Sequence, residues 1–293
     1  MTKSIRIGTR GSALARVQTD WVAERLREAH PGIEITIETF VTHGDKTQAA
    51  NVPLASFGEK GIFAKELEAA LLADEIDVAV HSMKDLAAEL PDGLHIAAIP
   101  VREDPRDAVV GVSLAELPDG ARVGTGSVRR VALLKAMWPK LVATEIRGNV
   151  DTRIRKLREG QYDSIILAAA GLIRLGLDHE IKELFDPVAF VPDPGQGALA
   201  IQSRTADTRV NELLAPLNHP ETRTAVLAER AYLAALGGGC HTPVGAWAWV
   251  DGGTVTLRVM VTRDNGDIRR ATVVGSVSAA EALGRRAAKE IRH

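Results

Sequence analysis

The stretch SIRIGTRGS (residues 4–12) begins with a short strand pattern and continues as a glycine turn. An amphipathic helical pattern follows over residues 13–26. ARVGTGS (residues 121–127) repeats this arrangement and leads into a second helical pattern over residues 128–138. Each segment predicts a strand, a tight glycine turn and a helix. Because the same unit occurs twice, the chain is predicted to contain two similar lobes.

A second pair of similar segments supports this duplication. KELEAALLADEIDVAVHS (residues 65–82) and TRIRKLREGQYDSIILAA (residues 152–169) each predict a helix, a short break, an Asp and a β-rich strand. Helices that alternate with strands indicate parallel sheets covered on both faces, so we predict an α/β fold. The longest apolar run, residues 165–173, is far shorter than the ~20 residues that span a bilayer. It is interpreted as a buried strand and the turn after it.

Proline and glycine interrupt the pattern at residues 99–102 and 191–197, where the chain is predicted to leave the first lobe and then return to it. From about residue 221 a helical run over residues 222–236 precedes short strands, and a last helix is predicted from Ala279. The predicted domains are therefore residues 1–99 with 198–217 (domain 1), residues 103–192 (domain 2) and residues 220–293 (a small α+β domain 3).

The composition is typical of a globular protein, with 45% hydrophobic and 25% charged residues. The formal net charge of -2 gives no overall attraction to nucleic acid or anionic lipid, and the 4% aromatic content argues against a base-stacking surface. The one cysteine cannot form an internal disulfide, and MTKSIRIGTR lacks the apolar segment of a signal peptide. We therefore expect a reduced, cytoplasmic protein that binds neither nucleic acid nor membranes.

Polar side chains follow the predicted strands at the places where α/β sheets bind ligands, beyond the carboxyl ends of strands. Glycine turns that open a helix present free N–H groups and the positive end of the helix dipole, which attract anions. GTGSVR lacks the third glycine of a dinucleotide-binding GxGxxG pattern, whereas arginine favours carboxylate or phosphate. An arginine-lined cleft and a polyanionic small ligand are predicted from Arg10, Ser12, Lys84, Asp85, Thr125, Ser127, Arg129, Arg130, Arg147 and Arg153.

Structural roles compete with ligand binding for several of these residues. Arg129 and Arg130 are adjacent in a helix and so point in different directions, which leaves their role open. Asp85 follows a strand that is predicted to be buried, which favours proton chemistry over a surface ion pair with its neighbour. His81 and His43 are interpreted as packing or hydrogen-bonding residues, and no spacing in the sequence indicates a metal site.

The single cysteine, Cys240, lies in GGGCHTPVG (residues 237–245), after three glycines and directly before His241. A lone cysteine is commonly a small buried hydrophobe. A thiol in a glycine turn is accessible, however, and a neighbouring His or backbone dipole could favour the thiolate. Both interpretations remain open at this point.

Ten motifs together resemble the porphobilinogen deaminase family, also called hydroxymethylbilane synthases. The resemblance covers residues 5–245, and HSMKD and the GGGC loop are its most specific parts. It implies three domains, of which the first two resemble the lobes of type II periplasmic binding proteins with the active cleft between them. The motifs, in order, are IGTRGSALA, VTHGD, GEKGIFAKELE, DVAVHSMKDL, REDPRDA, VGTGSVRR, IRGNVDTR, IILAAAGLIRLGL, PGQGALAI and GGGCHTPVG.

The resemblance also implies an activity and a cofactor. Members of the family join four porphobilinogen molecules head to tail, release ammonia and free the linear tetrapyrrole hydroxymethylbilane, a step of tetrapyrrole biosynthesis. Their dipyrromethane cofactor is made from two substrate units and is joined by a thioether to the cysteine that here is Cys240. The thiol would then be a permanent anchor. We expect a monomer whose partner is the small-molecule substrate.

Site roles follow from the same resemblance. Asp85 would protonate the leaving amine and then stabilise the cationic azafulvene through the pyrrole N–H. Lys60 would reach the site from a flap over residues 48–61. The expected cofactor-binding residues are Cys240, Ser82, Lys84, Thr125, Ser127, Arg129 and Arg130, and the expected substrate-binding residues are Arg10, Ser12, Lys60, Arg147, Arg153, Arg174 and Gln196.

Two functions of other classes compete with this interpretation. A two-lobed module that binds a small anion without catalysis would carry no covalent adduct and would not need Asp85. A hydrolase or amidotransferase with a cysteine nucleophile would pair Cys240 with a histidine and would be sensitive to thiol alkylation.

Overall fold

The structure, a computed structural model, describes residues 4–42, 64–237, 243–263 and 266–292. The chain divides into two units, the first formed by residues 1–102 and 198–224 and the second by residues 103–197 and 225–293. The predicted three-domain boundaries remain a prediction. None of the helices in the described ranges combines the length and the apolar composition needed to span a bilayer.

The described elements alternate between strand and helix along most of the chain. The strands are β1 (Ser4–Arg10), β2 (Glu34–Phe40), β3 (Val78–Ser82), β4 (Leu94–Ala98), β5 (Asp107–Gly111), β6 (Arg122–Gly124), β7 (Val142–Thr144), β8 (Ser164–Ala168), β9 (Ile181–Leu184), β10 (Leu199–Arg204), β11 (Val244–Asp251), β12 (Thr254–Thr262) and β13 (Ile268–Ser276). The helices are α1 (Ala13–Ala29), α2 (Lys65–Leu72), α3 (Val128–Met137), α4 (Val150–Arg158), α5 (Ala169–Arg174), α6 (Thr208–Leu214), α7 (Pro220–Ala235) and α8 (Ala280–Arg292).

Each unit contains a five-stranded sheet, and the two sheets have the same topology. The order is β2-β1-β3-β10-β4 in the first unit and β7-β6-β8-β5-β9 in the second. In both sheets, the strand of the strand–glycine–helix repeat (β1 or β6) lies between two neighbours that run parallel to it. The α/β fold and the two similar lobes predicted from the repeated segments are confirmed.

The prediction of parallel sheets is correct for β1, β2 and β3 and for β6, β7 and β8, but each sheet also contains one antiparallel strand. β10 runs antiparallel to β3 and β4, and β5 runs antiparallel to β8 and β9. These strands follow the first two of the three points where the chain passes from one unit to the other. A strand that does not follow a helical crossover within its own sheet is not constrained to run parallel to its neighbours.

The repeated glycine lies within β1 at Gly8 and at the end of β6 at Gly124, where there is no room for a side chain. A Cβ on Gly8 would clash with Ile76 and lie 2.9 Å from Leu67, and one on Gly124 would lie 2.9 Å from both Ile165 and Tyr162. The glycine of each GT pair is therefore needed for close packing within the unit.

One local prediction over the apolar run is also wrong. The residues after β8 were expected to form a turn, but helix α5 (Ala169–Arg174) begins directly at the strand end. Ala169, Ala170, Gly171 and Leu172 are buried in this helix. An apolar run of this length fits a buried helix as well as a strand, since burial removes the polar face that would distinguish them.

The C-terminal part of the second unit is a small α+β structure, as predicted. β11, β12 and β13 form an antiparallel sheet. The turn between β11 and β12 consists of Gly252 and Gly253, whose φ values of 52° and 83° suit a two-residue hairpin loop. Met260 of β12 belongs to the same buried hydrophobic cluster as Phe190 and Val191, which precede β10 in the chain.

Helix α8 packs closely on α7 at Gly284, which supplies a test of this fold. A Cβ at this position would clash with the Ala228 carbonyl and lie 2.8 Å from Tyr232 N. Alanine is favoured over glycine in helices by about 1 kcal/mol, yet we expect Gly284→Ala to lower the free energy of unfolding by about 1–3 kcal/mol, because backbone atoms cannot easily move aside. Calorimetry should show the loss. The exposed neighbour Arg285→Ala should change stability by less than about 0.5 kcal/mol, and a stabilising Gly284→Ala would contradict the helix packing.

Candidate active site

The first unit brings five predicted site residues to one edge of its sheet. β1 and β3 are parallel neighbours, so their carboxyl ends lie at the same edge. The residues at or just after these ends are Arg10, Ser12, Ser82, Lys84 and Asp85.

Hydrogen bonds fix the backbone around this edge. Ser12 caps helix α1, since its Oγ accepts from Ala15 N at 3.3 Å. Ser82 Oγ accepts from Gln18 Nε2 at 3.1 Å and so links strand β3 to α1. Both serine hydroxyl groups therefore have local structural partners. If they also bind a ligand, as predicted, they do so while keeping these hydrogen bonds.

Asp85 ends a 3₁₀ turn, Met83–Asp85, that follows β3 directly. Met83 is buried and its N–H donates to Ala198 O at 3.0 Å, which holds the turn against the sheet. The Lys84 and Asp85 side chains are partly buried. A carboxyl group on a fixed turn beside a strand end is well placed to transfer a proton to a bound ligand.

His81, which precedes this turn, is a buried hydrogen-bonding residue, as predicted. Its Nε2 lies 3.0 Å from Gln202 Oε1, and Gln202 Nε2 donates to Glu68 Oε1 at 3.1 Å. Since the amide nitrogen of Gln202 faces Glu68, its oxygen accepts from the protonated Nε2 of His81. Burial, with a smaller effect of the Arg10 charge, lowers the pKa of His81 to about 4. The imidazole is therefore neutral at physiological pH and leaves Asp85 as the acid candidate at this edge.

A cavity of about 560 Å³ lies at the opposite edge of the same sheet, near the amino ends of the parallel strands. Two of its three arginines are paired with one carboxylate, since Arg6 and Arg204 contact Asp77 at 2.8 and 3.2 Å. It contains none of the predicted site residues.

The second unit gathers the predicted arginines at the corresponding edge. Strands β7, β6 and β8 are adjacent and parallel, so the segments that follow them share one edge of the sheet. Thr125, Ser127, Arg129 and Arg130 follow β6, Arg147 and Arg153 follow β7, Arg174 follows β8, and Gln196 lies shortly before β10.

Arg129 and Arg130 converge on one buried carboxylate, that of Asp107. Arg129 Nη1 lies 2.7 Å from Asp107 Oδ2, and Arg130 Nη2 lies 2.7 Å from Oδ1. Gln196 Nε2 also donates to Oδ1, at 2.9 Å. Arg129 and Arg130 are only 3% and 6% exposed and Asp107 is fully buried. We refer to Asp107, Arg129, Arg130 and Gln196 as the Asp107 cluster.

The charges in this cluster stabilise one another. Burial alone would raise the pKa of Asp107, but the Arg129 and Arg130 guanidinium groups lower it well below its ordinary value. Asp107 and, more weakly, Asp193 likewise raise the pKa of Arg129 against the effect of burial. Buried charges are tolerated only when they are paired and hydrogen-bonded in this way.

Positive charge remains in excess around Arg153. Its Nε donates to Gly148 O at 2.7 Å. Burial and the charges of Arg130 and Arg147 lower the pKa of Arg153 to about 10. In addition, the buried Arg129 Nε has no hydrogen-bond partner within the described residues. The field at this edge therefore favours an anionic ligand with several acceptor atoms.

The remaining predicted residues occupy supporting positions at the same edge. Ser127 caps α3 by accepting from Arg130 N at 3.4 Å, and the buried Thr125 accepts from Ser127 N at 3.3 Å. Arg174 Nη2 donates to Gly197 O at 2.8 Å, and burial lowers its pKa to about 10. Arg174 therefore remains cationic at neutral pH.

The PGQG loop that carries Gln196 is fixed from two directions. Gly197 has a φ of 85°, and a Cβ there would clash with Glu103 O. Gly195 N donates to the buried Glu229 at 2.6 Å, and the second oxygen of Glu229 accepts from Ala248 N at 2.8 Å. Glu229 on α7 thus joins the PGQG loop to strand β11.

Asp107 and Glu229 are site residues that were not predicted from the sequence. The motif REDPRDA could have indicated a role for Asp107, because it places an acidic residue directly before an apolar strand. Such a residue needs a positively charged partner if it is buried. Glu229 lies on the same helical face as Val226 and Leu233, three and four residues away, and this spacing marked it as buried. Cys240, His241, Lys60 and His43 lie outside the described residues.

The Asp107 cluster supplies a pH-dependent test. Asp107→Asn should lower the free energy of unfolding by about 3–5 kcal/mol, because it leaves two buried guanidinium groups without their counterion. Since the folded-state pKa is depressed, the stabilisation is complete above the unfolded-state pKa near ~3.9 and is lost as the pH falls through the folded-state pKa. Urea denaturation should show a constant difference in the free energy of unfolding from about pH 5 to 8, since pH 5 lies about one unit above the unfolded-state pKa, and a smaller difference below about pH 4.

Asp119→Asn is the matched control, since Asp119 forms an exposed ion pair with Lys140. It should change stability by less than about 1 kcal/mol. A loss of similar size in both variants would contradict the proposed burial of charge at Asp107.

Comparison with known proteins identifies the family. Residues 5–212 match the family model described as "Porphobilinogen deaminase, dipyromethane cofactor binding domain", and residues 223–293 match "Porphobilinogen deaminase, C-terminal domain". The curated porphobilinogen deaminase of Roseiflexus castenholzii is 48% identical over 99% of this chain and 96% of its own length. That of Thermus thermophilus is 50% identical over 97% of this chain and 94% of its own length.

Among solved structures, the methionine-binding protein MetQ aligns with 85% of this chain and 99% of its own, with a TM-score of 0.46 and 14% identity. The family models and curated relatives confirm the resemblance found from the sequence motifs. The chain belongs to the porphobilinogen deaminase family.

Proposed function

We propose that the chain is a hydroxymethylbilane synthase, which joins four porphobilinogen molecules head to tail and releases ammonia. The observation that carries this proposal is the arginine-rich edge of the second unit, where Asp107 holds Arg129 and Arg130 and the charges around the buried Arg153 favour anions. Each pyrrole of the substrate bears an acetate and a propionate, so a growing chain brings many carboxylates. Fixed guanidinium groups suit such a ligand because they bind carboxylates bidentately.

The residues present fit the dipyrromethane cofactor of this family. Arg129 Nε is buried without a hydrogen-bond partner in the part of the chain that the structure describes, and the surroundings of Arg153 are cationic, so this edge suits an anion with several acceptor atoms. When bound, the cofactor supplies the primer to which substrate units are added. Thr125, Ser127, Arg129 and Arg130 would hold its carboxylates. Ser82 and Lys84 are the other proposed cofactor-binding residues.

Cys240 is the proposed anchor. Helix α7 ends at Ala235 and β11 begins at Val244, so Cys240 lies in the short connection between them. Glu229 ties this helix to Ala248 of the following strand. The two flanks of the anchor are thereby held at a defined separation, which would restrict the positions that a tethered group can reach.

Asp85 is the proposed catalytic residue. When the C–N bond of the aminomethyl group breaks, the electron pair leaves with nitrogen, and the carboxyl proton of Asp85 would convert the leaving amine to ammonia. The resulting carboxylate would accept the pyrrole N–H and stabilise the azafulvene cation. Neutral His81 does not compete in this role. The other proposed substrate-binding residues are Arg10, Ser12, Lys60, Arg147, Arg153, Arg174 and Gln196.

A two-lobed module that binds anions without catalysis is not favoured, because the family models and the curated relatives cover nearly the whole chain. A cytoplasmic location remains part of the proposal and is supported by the single cysteine, which cannot form an internal disulfide. A monomeric state is proposed with it.

Intact-protein mass spectrometry tests the cofactor proposal directly. The purified chain should be heavier than its sequence by one dipyrrole, and Cys240→Ser should lack this increment because a hydroxyl is a much weaker nucleophile than a thiolate. An unmodified chain in catalytically competent material would contradict the anchor and leave the non-catalytic module as the better explanation.

Asp85→Asn tests the catalytic role. The amide cannot donate an acidic proton, so kcat should fall by about 10²–10⁴-fold, while the mass increment and the thermal midpoint are retained. Asp92→Asn, which changes an exposed carboxylate of the same unit, should leave turnover unaltered. Full activity of Asp85→Asn would remove Asp85 from the mechanism.

A further inference from the structure

The antiparallel sheet of the second unit has an open edge that has no role in the function proposed above. β12 lies between β11 and β13, so β11 and β13 are the two edge strands. The β11 edge is closed, since Ala246 N donates to Pro192 O at 2.9 Å and Ala248 N donates to Glu229 Oε1 at 2.8 Å. β13 (Ile268–Ser276) has nine residues, and in the part of the chain that the structure describes it pairs with β12 alone.

One contact shows which main-chain groups of β13 point outward. In an antiparallel ladder, alternate residues direct both N–H and C=O towards the neighbouring strand, and the residues between them direct both away from it. Val274 O accepts from Arg286 Nη2 at 2.8 Å and therefore points away from β12. By the same alternation Arg270 and Thr272 direct their N–H and C=O groups outward. Neither of these N–H groups has a main-chain partner among the described residues.

The side chains beside this edge are cationic. Arg258 lies opposite Thr272 in the ladder, and its Nη1 donates to Thr272 Oγ1 at 2.7 Å. Arg258 Nε and Arg270 Nη2 donate to the main-chain oxygens of Val188 and Ala189, at 3.4 and 3.2 Å. Partial burial and the Arg258 charge both lower the pKa of Arg270. The two guanidinium groups thus bind uncharged oxygens and form no ion pair within the described ranges.

The exposed face of β13 adds an apolar position to these charges. Arg270, Thr272 and Val274 are two residues apart, so their side chains lie on one face of the sheet. All three are exposed, Val274 by 52%. A strand added at this edge would place every second side chain over that face. Acidic side chains there would lie beside Arg258 and Arg270, whereas basic ones would be repelled.

We propose that the β13 edge binds an extended acidic segment of a partner protein, which adds a fourth strand to the sheet. The main-chain groups of Arg270 and Thr272 would bind the segment, and its carboxylates would bind Arg258 and Arg270. Charge complementarity selects this occupant, because positive charge at an exposed edge opposes the pairing of two identical edges. The inference does not depend on turnover of the enzyme.

Fluorescence anisotropy of labelled peptides with the holoprotein tests this edge. The probe is a peptide of alternating Glu and Val with about six residues, the usual length of a strand. It should bind saturably, with a dissociation constant below about 1 mM. The same peptide N-methylated at its central residues keeps its charge but lacks N–H donors, so it should bind at least about tenfold more weakly. A Lys–Val peptide should not bind.

Variants of the protein test the main-chain and the charge contributions separately. Thr272→Pro removes an N–H that points away from β12, so it leaves the ladder bonds in place and should abolish peptide binding. The double variant Arg258→Gln, Arg270→Gln should weaken binding by about two- to tenfold and reduce its salt dependence. Arg285→Gln is the matched control, since Arg285 forms an exposed ion pair with Glu281 on α8, and it should bind the peptide as wild type does.

Several results would overturn the inference. One is a Glu–Val peptide that shows no saturation below about 1 mM, and another is equal binding by wild type, Thr272→Pro and the double variant. Tighter binding of the Lys–Val peptide or of a single-stranded oligothymidylate would contradict an acidic protein segment as the occupant. Self-association in sedimentation experiments that Thr272→Pro removes would assign the edge to a second copy of the chain and overturn the inference as well.

Discussion

The Asp107 carboxylate holds two buried guanidinium groups at the edge of a sheet, and the chemistry of the second unit depends on this contact. Neither Arg129 nor Arg130 could remain buried and charged without a counterion. Asp107 is the first residue of β5, the antiparallel strand, so the strand that breaks the parallel pattern also places the counterion. The fold and the site are thus coupled at one residue.

Two further contacts extend this arrangement through the unit. Gln196 donates to Asp107 from the PGQG loop, and the adjacent Gly195 donates to Glu229. Glu229 also binds Ala248 beyond the proposed anchor. A continuous set of hydrogen bonds therefore connects the arginine pair with both flanks of the cysteine connection. Such preorganisation lowers the entropic cost of holding a flexible, highly charged ligand.

Local patterns were sufficient to predict the repeated architecture. The two GT turns predicted matching strand–glycine–helix units, and the structure shows why glycine is needed at Gly8 and Gly124. The polar residues after the strands also lie at the expected sheet edges. The antiparallel strands β5 and β10 could not be predicted in this way, because their direction depends on where the chain crosses between units and not on any local period.

The same limit applies to the site. Adjacent helical arginines were expected to diverge, yet long side chains at the first turn of α3 reach one carboxylate from two sides. Only tertiary structure brings Asp107 to them, and a single acidic residue at a strand start gives no local sign of its partner. The arginines predicted from the turns after the strands thus lie at the expected edge of the sheet. The buried carboxylates that position them, Asp107 and Glu229, were not predicted from the sequence.

A crystal structure of the holoenzyme tests the central claim most directly. The account predicts that both guanidinium groups remain bound to Asp107 while the carboxylates of the tethered dipyrrole lie within hydrogen-bonding distance of Arg129, Arg130 or Arg153. A structure in which Asp107 has turned away from the arginines, or in which other groups bind the cofactor carboxylates, would contradict it.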